Sequence, residues 1–219
     1  MRRWLIVTGG VALLLAVILG FVAATARGPY VLAWFRNPDG SPCPRLCFLG
    51  IMPGITDFQQ AAAILEEGPL GLHSSRPSGN ENITTFTNDS IQVTIGSEVN
   101  QNTLAWLSLV VLPTGEPDPF YTLADFVAAL GRPDRARVES GGIVVDTMFH
   151  RDYLMLSTLI AGFTPDTPVR HTDQLFMVYM VSERQYRELL GNISHTLRGW
   201  YGFTAIRRYI NRPDPVVSP

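Results

Sequence analysis

Residues Trp4 to Ala26 form an unbroken uncharged run of more than 20 residues, rich in Leu, Val, Ala and Ile. At about 1.5 Å per helical residue, such a run is long enough to cross a hydrocarbon core of roughly 30 Å. Ala24-Thr25-Ala26 has the small-x-small form of a signal-peptidase site, so a cleaved signal peptide is the competing reading. A signal peptide's apolar region usually spans about 7–15 residues, and this run is longer, so a retained anchor is expected. Arg2 and Arg3 precede the run and should stay on the cytoplasmic side. The reading is a single-pass protein of the plasma membrane, held in the lipid bilayer through residues 4–26, with its C-terminal domain extracytoplasmic. No lipobox cysteine follows the run.

Composition removes several chemistries. All 17 basic residues are arginine, against 19 acidic ones, for a net charge of −2. A slightly acidic chain gives no reason to expect nucleic acid as a partner. Without lysine there is no P-loop lysine, Schiff-base lysine or kinase β3 lysine. His150-Arg151-Asp152 copies the opening of a kinase catalytic loop, but Ser157 stands where that loop needs Asn. His150 with Asp152 and His171 with Asp173 are i,i+2 pairs. Each pair would share a face in a strand, yet a metal site needs three or four convergent ligands. The expected places for these pairs are strand ends and polar turns. No catalytic residue, metal ligand or cofactor site is assigned.

Cys43 and Cys47 are the only two cysteines. Outside the cytoplasm, so close a pair can close a small disulfide ring; free structural thiols are the alternative.

The chain divides into an anchor at 1–26, a turn-rich linker at 27–42, a first αβ unit at 43–118, a second at 119–182 and a helical tail at 183–219. Trp34 and Phe35, in the linker, suit either the headgroup layer or a docking place on the domain. The first unit should open with a helix capped by Thr56, with Gln59 completing a capping box, and end at Gly68-Pro69. Phe58, Ala61, Ala62 and Leu65 give it an apolar face. The second helix is capped by Thr122 with Asp125 three residues on, carries Phe126, Ala129 and Leu130, and stops at Gly131-Arg132-Pro133. Strand-like runs follow each helix: Ile83–Thr87, Ser90–Ile95 and Thr103–Leu112, then Ala136–Glu139, Ile143–Phe149, Tyr153–Ile160 and Leu175–Val181. Ile91, Val93 and Ile95 alternate with Gln92 and Thr94. Thr103–Leu112 is apolar on both faces, which expects a central place in the sheet. The fold class is therefore α+β: two helix-plus-antiparallel-meander repeats forming one domain after a transmembrane helix. Both helices should lie on one side of the sheet, with Phe58 and Phe126 buried.

The segment Leu49-Gly50-Ile51-Met52-Pro53-Gly54-Ile55-Thr56, running into an alanine-rich helix, resembles the opening of small lipoproteins of the SmpA/OmlA type from the β-barrel assembly machinery. Leu130-Gly131-Arg132-Pro133 resembles their Leu-Gly-x-Pro helix stop. A tandem of two such units is similar in plan to β-lactamase-inhibitory proteins. From Cys43 to Gly54 the chain also resembles uncharacterised, membrane-anchored extracytoplasmic bacterial proteins with a Cys-x-x-x-Cys-x-x-Gly-Ile-x-Pro-Gly opening. The resemblance implies fold and compartment. It does not carry the assembly role, because a transmembrane segment replaces the lipobox and the unit is doubled.

Two functions fit these observations. The first is a non-enzymatic binding or scaffold module with an envelope protein as partner. Its interaction surface would be the C-terminal cluster of Arg198, Trp200, Tyr201, Arg208 and Arg212, since aromatics mixed with arginine suit hot spots. The alternative is a cell-envelope hydrolase using dispersed acidic residues such as Asp146 and Asp152. Convergent carboxylates in a pocket would favour the hydrolase. A flat sheet face with exposed aromatics would favour the binding module.

Overall fold

A computed structural model describes residues 34–75, 82–98, 101–112, 122–139, 144–160, 164, 166–206 and 209. The stretch read as an anchor, residues 4–26, lies outside them. Among the described residues, no helix is long and apolar enough to cross a membrane.

Among the described residues, the domain is an α+β structure with one nine-stranded antiparallel sheet and three α-helices. In chain order the elements are α1 (Phe58–Glu67), β1 (His73–Ser75), β2 (Ile83–Thr87), β3 (Ile91–Ser97), β4 (Leu104–Val111), α2 (Leu123–Leu130), β5 (Arg135–Val138), β6 (Val144–Phe149), β7 (Leu154–Leu159), β8 (Leu175–Val181), α3 (Glu183–Ile193) and β9 (Arg198–Gly199). The sheet order is β1-β2-β3-β4-β8-β7-β6-β5-β9. Each meander runs inward from an edge of the sheet toward the middle, and the last strands of the two meanders, β4 and β8, pair antiparallel with Ser108 opposite Tyr179. The central place expected for Thr103–Leu112 is thus filled by β4. Both sheet edges are very short strands, β1 and β9, which limits strand recruitment by other chains.

The helices are set by their caps. Thr122 and Asp125 form the expected capping box: Thr122 N donates to Asp125 Oδ2 at 2.9 Å, and Asp125 N donates to Thr122 Oγ1 at 3.4 Å. For α1 the cap lies one residue later than expected. Asp57 Oδ1 accepts from Gln59 N at 2.9 Å and Gln60 N at 3.3 Å. Thr56 is occupied elsewhere, because its hydroxyl accepts from Met52 N at 2.9 Å and closes the preceding turn. The two helix starts are stapled in the same way. Asp57 bridges Thr103 just before β4, and Thr122 bridges Gln174 just before β8.

Phe58, Ala61 and Leu65 of α1 and Leu123 and Phe126 of α2 enter one continuous core with Val93, Ile95, Leu107, Leu156 and Val178. Both helices therefore cover the same sheet face, and Phe58 and Phe126 are buried as expected. α3 lies on the opposite face. Its Leu189, Leu190 and Ile193 pack on Met148, Met155 and Leu197, beside Met177 and Tyr179.

The segment before α1 belongs to the domain. Phe35 is buried, with ring contacts to Phe48 (5.8 Å) and Phe126 (5.2 Å). Trp34 packs edge-on against Phe48, and its carbonyl accepts from Leu49 N at 2.6 Å. Phe48 and Ile51 exchange both backbone hydrogen bonds around Leu49 (φ 53°) and Gly50 (φ 82°). Positive φ at both central residues is a type I′ turn, the form whose twist matches a hairpin.

Candidate functional site

Among the described residues, the helices leave one part of the sheet open. On the face away from α1 and α2, α3 covers the β5–β8 side. Over β2–β4 that face carries Thr85, Gln92, Thr94, Trp106 and Ser108, all partly exposed. Strand register puts Ser75, Thr85, Thr94, Ser108 and Tyr179 in one row across five adjacent strands. The hydroxyls of Thr85 and Thr94 lie 3.2 Å apart, and Ser75 Oγ donates to the Thr85 carbonyl at 3.1 Å.

Trp106 lies flat on this floor, and Gly96 is the reason. The two are paired across β3 and β4, and a Cβ at position 96 would sit 2.3 Å from Trp106 Cε2 and 2.5 Å from Nε1. Only a residue without a side chain lets the indole rest on the backbone. Tyr179 stands next to it, ring centroids 6.1 Å apart at 47°. Burial pushes the Tyr179 phenol above its ordinary value, so it stays neutral and can donate or accept. The first turn of α3 rises beside this platform. There Arg184 is paired with Glu98, whose Oε1 also accepts from Gln185 Nε2 at 3.4 Å.

The residues singled out in sequence are placed as follows. Cys43 and Cys47 lie at disulfide distance, with Cα atoms 6.1 Å apart. The ring they close sits against the β6–β7 turn: Leu46 N donates to Asp152 Oδ1 at 3.3 Å, and the Arg45 guanidinium lies 5.0 Å from the Tyr153 ring centroid. Trp200 is a core residue, 4% exposed, with its carbonyl accepting from Arg132 Nη2 at 2.5 Å. Its indole therefore faces inward and offers no docking surface. Tyr201 is half-buried against Tyr209, whose hydroxyl donates to the Gly202 carbonyl at 2.6 Å. Arg198 Nη1 donates to the carbonyls of His195 and Leu197. Arg208 and Arg212 lie outside the described residues. The tail expected to be helical over 183–219 is helical over Glu183–Ile193 and is not helical over 200–206. Ile206 is buried, whereas Phe203 is 41% exposed.

Asp146 and Asp152 do not converge. Asp146 is buried, and both its oxygens are taken: Oδ1 by Ser157 Oγ at 2.6 Å and Oδ2 by Arg137 Nε at 2.7 Å. Asp152 is in the β6–β7 turn, beside a shallow crevice it shares with Arg45, Met52 and Tyr153. His150 is in that turn too. Its Nδ1 meets the Tyr186 hydroxyl of α3 at 2.5 Å, and the His150 backbone N–H donates to Asp134 Oδ2 at 2.7 Å. His171 lies edge-on to Phe203, and Asp173 accepts from Arg170 N at 2.6 Å. Both His/Asp pairs thus occupy turns. Among the described residues, no group of three His, Cys, Asp or Glu side chains is placed to hold a metal ion.

The Trp106 platform was missed in sequence because Thr103–Leu112 reads as apolar on both faces. The usable signal was the polar alternation of Gln92 and Thr94, together with Gly96 in a strand that otherwise lacks glycine.

No family model matches the chain, and no curated protein matches it. Among solved structures it is distantly similar to YjgB, a DUF4309 family protein from Bacillus subtilis, at 12% identity and a TM-score of 0.42, covering 71% of this chain and 94% of that one. The expected likeness to barrel-assembly lipoproteins and β-lactamase-inhibitory proteins finds no support in these comparisons.

Proposed function

We propose that this chain is a membrane-tethered, extracytoplasmic, non-enzymatic binding module that meets a component of the cell envelope with the open sheet face over β2–β4. The observation that carries this reading is the half-buried Trp106 indole on the face over β2–β4 that α3 does not cover, while Asp146 and Asp152 are committed to internal partners. Partly exposed aromatics on a polar floor are characteristic of recognition surfaces. The Cys43–Cys47 pair suits an oxidising compartment. Because Trp34 and Phe35 pack on the domain, only residues 27–33 separate the apolar run from it. At roughly 3.3–3.6 Å per extended residue, the domain would lie within about 25 Å of the bilayer. The matching staples and strand orders of the two halves support an origin by tandem duplication.

The test is photo-crosslinking in native membranes. A benzophenone side chain at Thr94 inserts into C–H bonds of protein and glycan alike. An adduct formed from Thr94 and not from Glu66, on the exposed side of α1, is expected. No adduct from Thr94, together with turnover of an envelope substrate by the purified full chain, would overturn the reading in favour of the hydrolase.

A further inference from the structure

The open face has the chemistry of a sugar-binding floor, and we propose that its ligand is a neutral, β-linked envelope polysaccharide. This rests on the binding-module reading above and names the class of ligand. A pyranose ring has two surfaces: an apolar one of axial C–H bonds and a polar rim of hydroxyls. The β2–β4 floor offers a counterpart to each. The indole of Trp106, held flat by Gly96, is a plate on which a C–H face can stack. Around it, Thr85, Gln92, Thr94 and Ser108 supply hydroxyl and amide groups that both donate and accept, as a ring of sugar hydroxyls requires.

Charge decides between ligand classes. The side chains of that floor are uncharged. The nearest charges, Glu98 and Arg184, are paired with each other at the foot of α3. His73 is the only other titratable group described on that face of β1–β4, and it sits at the sheet edge. Among the described residues, an anionic polymer would find no unpaired arginine on that floor, and a cationic peptide would find no free carboxylate. A neutral polymer buries no charge against this floor, and its desolvated hydroxyls find hydrogen-bond partners there. Shape narrows the class further. The floor is a sheet face bounded on one side by α3, so it admits an extended ribbon running past the wall. Trp106 is the stacking plate, and Tyr179, inclined to it at 47°, stands beside α3 with a neutral hydroxyl. An α-linked glucan coils and cannot lie flat along such a floor.

The experiment uses the full chain in detergent with three insoluble probes: chitin, cellulose and amylose. Binding to chitin or cellulose and not to amylose is expected. Trp106→Ala should weaken that binding about tenfold, the loss of one stacked ring worth about 1.4 kcal/mol. Gln92→Ala should weaken it several-fold, and both variants should keep the wild-type far-ultraviolet circular dichroism. Phe203→Ala, remote from the floor, should bind as wild type does. Unchanged binding by Trp106→Ala would overturn the proposal. No binding to any probe, while the Thr94 crosslinker captures a protein, would overturn the glycan and leave the binding module standing. If neither glycan nor crosslinked partner is found, both readings fall.

Discussion

Replacing Gly96 by alanine should destabilise the domain, and the sign should reverse once the indole is removed. The new Cβ would lie 2.3 Å from Trp106 Cε2 and 2.5 Å from both Cζ2 and Nε1. Ordinary carbon contacts are about 3.5–4.0 Å, so the rigid indole must move by more than 1 Å or leave its rotamer. Overpacking of this kind costs about 1–3 kcal/mol. Gly96 does not have positive φ, so nothing in the backbone forbids alanine. In a Trp106→Ala background the clash partner is gone. There Gly96→Ala should stabilise by about 0.4–1 kcal/mol, through the smaller entropy of the unfolded chain. The assay is a double-mutant cycle read by urea denaturation and checked by thermal melting. In a chain this size, each kcal/mol moves the Tm by about 2–4 °C. Equal destabilisation by Gly96→Ala in both backgrounds would refute the reasoning, because it would place the cost in the strand and not under the indole.

Three further outcomes are expected. Arg137→Ala leaves the buried Asp146 carboxylate without its ion-pair partner and should cost about 3–5 kcal/mol by urea denaturation; Glu139→Ala, at the exposed end of the same arginine, should stay within about 0.5 kcal/mol. Asp173 has its carboxyl pushed above the usual value by burial, so the folded state holds its proton longer than the unfolded one. Stability should then fall as pH rises through the window just above 3.8, and Asp173→Asn should flatten the Tm–pH curve there while raising Tm at pH 7. Joint Cys43→Ser and Cys47→Ser substitution opens a ring whose cysteines are only four residues apart. Loop-closure entropy sets that loss at about 2 kcal/mol, and intact mass of the wild-type chain should be about two hydrogens below the reduced form.

The sequence by itself determined the local elements and the composition of the core. The Thr122–Asp125 box, the Gly131 stop and the alternation of Ile91, Val93 and Ile95 depend on residues within one or two turns of each other. Those interactions can be read without knowing the rest of the chain. Short-range punctuation also showed that two units share one plan and that Phe58 and Phe126 point into a core. β1 and β9 were not legible. With three and two residues they have no periodicity of their own and exist through pairing with β2 and β5. Only the tertiary structure decided which face of the sheet would be covered. Alternation says which residues share a face but not whether a helix lands on it. That depends on the β4–β8 pairing and on where α3 crosses. The same long-range packing decided the place of two aromatic residues. Trp200, in an arginine-rich tail, is drawn into the core, and Trp106, in a largely apolar strand, stays half-buried on the face over β2–β4. Burial is a property of the assembled layers, and a single strand or tail carries no record of what will pack on it.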